Sequence, residues 1–150
     1  LKAVYDPEEN RINEFLEDWK FTKDNLLTNL NSIQKEDFDF CVIASSSNAH
    51  FENFEFAAKK KIPYILVEKP ICTNLNDLKK VQRLTNKYGL NVWVNHERRY
   101  HPIYNYVKEI IQKEKFGKLK TVKASVLTSS ALPGTAFLDS GGGPLLHDGT

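Results

Sequence analysis

Residues 63–73 read PYILVEKPICT. Tyr64 to Val67 form an apolar, β-prone run, and Glu68, Lys69 and Pro70 follow it with no spacer. Charged and turn-forming residues that close so short an apolar run mark the end of a strand. Two readings stay open at this point. The segment is a plain surface turn, or it is a strand tip that carries an acid, an ammonium and a proline to a functional sheet edge.

The neighbouring segments fix the fold. Downstream, Leu75, Leu78, Val81, Leu84 and Tyr88 keep helical spacing until Gly89 stops them. A short strand, NVWVN (91–95), comes next, and then a helix with Pro102 near its start and Ile103, Val107, Ile110 and Ile111 on its buried side. Upstream, Phe51, Phe54, Ala57 and Ala58 share one helical side, preceded by the apolar run FDFCVIA (38–44), which suits a strand covered on both faces. At the start, residues 1–5 suit a strand, and Ile12, Phe15, Leu16 and Trp19 make a helical stripe. Asp6 is placed to cap that helix, with Pro7 at its first position. Leu26, Leu27, Leu30 and Ile33 form a second short amphipathic stretch.

Alternating strands and helices with continuous apolar strands predict an α/β fold, a parallel sheet wrapped by helices. From Gly117 the pattern changes. KLKTVKASVLTS (118–129) alternates like an open-faced strand, and a Gly/Ser/Pro-rich loop follows to about residue 144. A second, α+β domain is therefore expected to begin near residue 98.

Composition narrows the function classes. With 41% hydrophobic and 27% charged residues, the 150-residue chain reads as an ordinary soluble globular protein. A net charge of +2 argues against a dedicated nucleic-acid binder, and Lys59-Lys60-Lys61 suits the basic last turn of a helix. No apolar run is long enough for a membrane span and no signal peptide is visible, so cytoplasm is the expected compartment. Cys41 falls in an apolar strand and reads as a buried thiol, far from Cys72. His50, His96, His101 and His147 lack metal-ligand spacing, so no metal is expected. The chain contains no Met and its first residues read as a strand in progress, so a fragment of a longer protein is expected.

In an open parallel sheet, ligands bind beyond the carboxyl ends of the strands. Those ends here carry Asp6, then Ser45-Ser46-Ser47-Asn48-Ala49-His50, then Glu68-Lys69-Pro70, then Asn95-His96-Glu97-Arg98-Arg99. Asp6 suits either a helix cap or an acceptor for ribose hydroxyls. The three serines suit a capped turn or a close backbone approach to a cofactor. Lys69 suits a surface turn, or an ammonium that holds an alcohol oxygen while hydride leaves the carbon. His147-Asp148 suits an acid–base pair or a polar helix start after Gly141-Gly142-Gly143.

In this order, AVYDPEENR, FDFCVIASSSNAHFE, PYILVEKPICTNLND, VNHERRYHP, FGKLKTVKAS and GGGPLLHDGT resemble the Gfo/Idh/MocA family of nicotinamide-dependent oxidoreductases. The resemblance spans nearly the whole chain. It implies a partial, doubly wound Rossmann domain over residues 1–97 and the start of an α+β substrate and oligomerisation domain over 98–150. It implies NAD, with NADP as the alternative, and a sugar, polyol or sugar derivative as substrate. A homo-oligomer is implied for the full-length protein. Asp6, Ser45, Ser46, Ser47, His50, Glu68, Lys69, Pro70 and Asn95 would line the cofactor, with Lys69–Pro70 commonly cis. Lys69, Arg99, His147 and Asp148 would meet substrate, and Lys69 and His147 would be catalytic. A non-catalytic relative that binds a ligand or a partner is the rival reading.

Three departures stand out. The family's first strand and its glycine-rich phosphate loop do not occur in this sequence, so weak dinucleotide binding is expected of the chain alone. His147 occupies a position where many members have Asp, and their catalytic His would fall just beyond Thr150. Ser46 stands where many members have Pro.

Overall fold

The computed structural model describes residues 2–27, 29–34 and 37–125. His147, Asp148, the triple glycine and the end of the alternating stretch therefore lie outside the described residues. Two compact units are present, Leu1–Asp39 and a second that begins at Phe40.

The first unit is built on helix α1, Glu9–Trp19, which buries Ile12 and Leu16 as its spacing predicts. It begins later than the Asp6 cap and Pro7 imply. Asp6 Oδ1 accepts from the backbone N–H of Glu8 at 2.8 Å, a short Asx turn that delays the helix. Arg11 pairs with Glu8 at 3.0 Å on the exposed side. Among the described residues of the strand expected at 1–5, one parallel bridge forms, Val4 with Leu26. Among the described residues of the Leu26–Ile33 stretch no α-helix forms. Single 3-10 turns occupy Lys23–Asn25 and Leu30–Ser32, and Asn29 takes the backbone N–H of Asn31 with its own side chain, a local bond that competes with helix.

The second unit holds a parallel sheet in the order β1-β2-β3: Phe40–Ile43, Tyr64–Glu68 and Asn91–Asn95. Register pairs Cys41 with Ile65 and Ile43 with Val67, then Val67 with Val94 and Glu68 with Asn95. Helix α2, His50–Lys59, packs on β1 and β2, and α3, Leu75–Tyr88, packs on α2. Phe54, Ala57, Ala58, Ile65 and Val67 make the dry core between them. Burial of a side chain such as Phe54 or Ile65 contributes roughly 1.5–3 kcal/mol.

The opposite sheet face differs from the expectation for residues 38–44. Phe40, Val42, Tyr64 and Trp93 point to that side and stay exposed, Val42 at 56% and Trp93 at 48%. Tyr64 and Trp93 stack there with centroids 6.2 Å apart. The run is uniformly apolar, but within this unit α2 packs on only one of its faces. Helix α4, Pro102–Gln112, forms with Pro102 at its start. Its apolar stripe is not buried as expected: Ile103, Val107 and Ile111 are exposed, and no described element covers them. Residues 118–125 likewise form no strand, for no described segment pairs with them.

Candidate active site

The polar strand tips of the second unit meet at the carboxyl edge of its sheet. At the end of β2, Glu68 turns back on its own chain. Its Oε2 accepts from the backbone N–H of Lys69 at 3.3 Å, and its Oε1 accepts from Asn95 Nδ2 at 2.5 Å. One carboxylate therefore ties β3's last residue to the backbone of Lys69. Lys69 stands one residue beyond the strand and is half-buried. The Lys69–Pro70 bond is cis, in accord with the resemblance, and Pro70 is buried.

After β1 the chain crosses Ala44 and Ser45 into a 3-10 turn at Ser47–Ala49 and then into α2. Ser46 is the N-cap of that turn, yet its hydroxyl caps nothing; the backbone N–H of Ala49 bonds to its carbonyl at 2.8 Å. Ser45 and Ser46 are exposed and Ser47 is half-buried, so small hydroxyl side chains line the rim at this strand end. Asn53 Nδ2 donates to Ser45 Oγ at 2.9 Å. Asn53 escapes a reading of the sequence alone, although it falls one helical turn after His50, where α2 faces the same loop.

His50 has a different place from the other candidates. It is 1% exposed, the one buried polar residue among the described residues. Its Nδ1 lies 2.6 Å from the carbonyl oxygen of Pro70 and its Nε2 lies 2.8 Å from that of Ser45. The ring reaches backbone on both sides, joining the loop after β1 to the loop after β2.

Beyond β3, His96 bends the chain by an N–H to Val94 carbonyl bond at 2.8 Å, and Glu97–Tyr100 form a 3-10 turn. Arg98 and Arg99 are exposed on this turn, and His101 Nδ1 accepts from the N–H of Ile103 at 3.3 Å to cap α4. The structure thus gathers Ser45–Ser47, His50, Glu68, Lys69, Pro70, Asn95 and Arg99 at the strand ends of one unit. Asp6 belongs to the first unit, with one oxygen engaged by Glu8. Among the described residues, no group of His, Cys, Asp or Glu is arranged to hold a metal ion, and no helix is long and apolar enough to cross a membrane.

A sequence profile of the Gfo/Idh/MocA family, an oxidoreductase family with an NAD-binding Rossmann fold, matches residues 1–96. No curated protein sequence matches the chain significantly. Among solved structures, a probable dehydrogenase from Thermotoga maritima is 25% identical, with a TM-score of 0.67 over 78% of this chain and 35% of its own. The scyllo-inositol dehydrogenase of Lactobacillus casei, with NAD(H) and scyllo-inositol bound, is 20% identical with a TM-score of 0.67, over 78% of this chain and 34% of its own. An NAD-binding protein from Listeria innocua reaches a TM-score of 0.82 at 19% identity, over 99% of this chain and 42% of its own. The last two likenesses speak for the fold. The chain spans less than half the length of each of these proteins.

Proposed function

The chain belongs to the Gfo/Idh/MocA family of oxidoreductases, and from that premise we propose that it forms the nicotinamide-facing part of an NAD(P)-dependent dehydrogenase or reductase. The reaction moves a hydride between a secondary alcohol carbon of a sugar, polyol or sugar derivative and the cofactor. A polyol is the first substrate class to try, because scyllo-inositol dehydrogenase shares the fold.

The observation that carries the proposal is the Glu68 carboxylate, which links Asn95 to the backbone of Lys69 at the carboxyl ends of two adjacent strands. Open parallel sheets hold their ligands at that edge. The small serines at 45–47, the Asn95 amide and the Lys69 ammonium suit the nicotinamide end of a dinucleotide. Among the described residues no glycine-rich phosphate turn occurs, so the pyrophosphate is not assigned to them. Nicotinamide, when bound, supplies the hydride acceptor or donor.

Lys69 holds the alcohol oxygen and stabilises the negative charge that develops on it as the C–H bond breaks. Glu68 fixes the backbone direction from which the Lys69 side chain leaves. Arg99 and Asp148 bind substrate, and His147 moves the proton. Asp6 accepts from the adenosine ribose hydroxyls, which favours NAD over NADP. Residues 1–97 serve the cofactor and 98–150 open the substrate and oligomerisation domain of a cytoplasmic homo-oligomer.

The test is a fluorescence titration with NADH and NADPH of the protein expressed from its whole coding sequence, followed by a dehydrogenase assay against a panel of polyols and sugars. Saturable NADH binding with NAD-dependent oxidation of at least one of them is expected. Absence of binding to both cofactors would sink the enzyme reading in favour of a non-catalytic relative.

A further inference from the structure

The buried ring of His50 asks for a protonation state. A neutral imidazole has one N–H donor and one lone pair, and only the imidazolium donates from both nitrogens. Both partners of His50 are carbonyl oxygens, which only accept: Pro70 at 2.6 Å from Nδ1 and Ser45 at 2.8 Å from Nε2. In either neutral tautomer one ring lone pair would face a carbonyl lone pair at hydrogen-bond distance, on a ring that is itself 1% exposed. Separations this short suit N–H donors that carry charge.

Two effects oppose a cation here. Burial disfavours charge, and His50 begins α2, where the helix dipole disfavours a positive group. Glu52, in the same first turn, offsets the dipole term. The neighbouring elements bring Glu68 and Lys69 at the end of β2 and the mutually paired Asp77 and Lys80 on α3. Removing either ring proton costs a bond to a fixed carbonyl and turns a ring lone pair toward that oxygen.

We propose that His50 is a doubly protonated positioning residue whose two N–H groups clamp the Ser45 carbonyl to the Pro70 carbonyl. The clamp sets the spacing between the serine loop and the Lys69–Pro70 turn. The ring itself, enclosed and committed on both sides, touches neither cofactor nor substrate. This second consequence rests on the proposed oxidoreductase reading; the clamp does not.

Nitrogen-15 spectra of the histidine rings in the whole chain at neutral pH decide the matter. Both His50 ring nitrogens are expected to resonate in the N–H range with protons that exchange slowly. One His50 nitrogen in the unprotonated range would overturn the proposal. In His50→Gln, the amide signals of Ser46 and Ile71, whose peptide groups contain the two carbonyls, should both shift while those at the far end of α3 stay in place. An unmoved Ile71 amide would also overturn it. If that variant fails to fold, the ring spectrum of the unaltered chain still decides. A chain that passes these tests yet binds no NADH leaves the clamp standing and removes only the dehydrogenase.

Discussion

Asn95 and Glu68 are the last register pair of β3 and β2, and the Asn95 amide donates to the Glu68 carboxylate at 2.5 Å. Parallel neighbours in a sheet seldom hold a polar pair in line with apolar side chains unless each satisfies the other. Asn95→Ala removes the donor and leaves a half-buried carboxylate oxygen without it. A loss of about 1–2 kcal/mol in stability is expected, read as a lower midpoint in urea unfolding. Asn95→Asp should cost more, since it sets two carboxylates side by side.

Gly89 ends α3 with φ +64°, a left-handed conformation that side chains disfavour. A Cβ built there meets nothing within 4 Å, so the cost of substitution is confined to the backbone. Gly89→Ala should lower stability by about 1 kcal/mol. Gly89→Asn should lower it less, because Asn tolerates this conformation. Thermal unfolding of the two variants side by side checks the order.

Much of this fold was legible because local signals and tertiary packing agreed. Helix α3 carried its own stop in Gly89, and β2 announced its end by the change from Val67 to Glu68. Other features depended on partners the sequence does not specify. The apolar run 38–44 implies burial, but nothing within it says whether one face or two will be covered. The stripe of α4 is plain in sequence, while what it packs against is not. At the site, the residue types were readable from their strand-end positions. The link between Asn53 and Ser45, and the reach of His50 to Pro70, depend on how α2 docks against β2, which no spacing in the chain encodes.

The start of α3 gives an acid-side prediction. Asn74 accepts from the N–H of Asp77 at 2.9 Å and caps the helix. Lys80 donates to the Asp77 carboxylate at 2.8 Å; this bond, then the one from the Asn74 amide, holds the Asp77 carboxyl below the ordinary aspartate value. Its contribution is therefore complete above that ordinary value and fades as pH falls through the lower, folded value. Lys80→Ala should raise the titration midpoint of Asp77, followed by its carboxyl carbon-13 signal. Asn74→Ala should cost about 1 kcal/mol through the lost cap.

The two thiols should separate by reactivity. Burial pushes the Cys41 thiol up to about 11. Cys72 is also raised, by burial first, against a hydrogen bond with the Asn74 backbone that lowers it, while the Asp77 charge adds to the rise. Because the thiolate is the reactive form, a chromogenic disulfide reagent at mildly alkaline pH should label Cys72 first and Cys41 only slowly. The native state favours protonated Cys41, so its stabilising effect is present below the ordinary thiol value and is lost as pH rises through the folded one. Cys72→Ser should remove the fast phase of labelling and leave the slow one.

Lys69 stands one residue past β2, with its backbone N–H tied to Glu68. Truncating its side chain leaves that backbone bond and the strand register untouched, so Lys69→Ala should fold with an unchanged circular dichroism spectrum. If Lys69 holds the alcohol oxygen, the turnover number should fall by about 10²–10⁴-fold. The affinity for NADH should change far less, because the lost interaction is strongest in the transition state. Lys69→Arg should not restore activity: a planar fork cannot replace a compact ammonium beside a reacting oxygen. Equal loss of NADH binding and turnover in Lys69→Ala would instead assign Lys69 to cofactor binding alone.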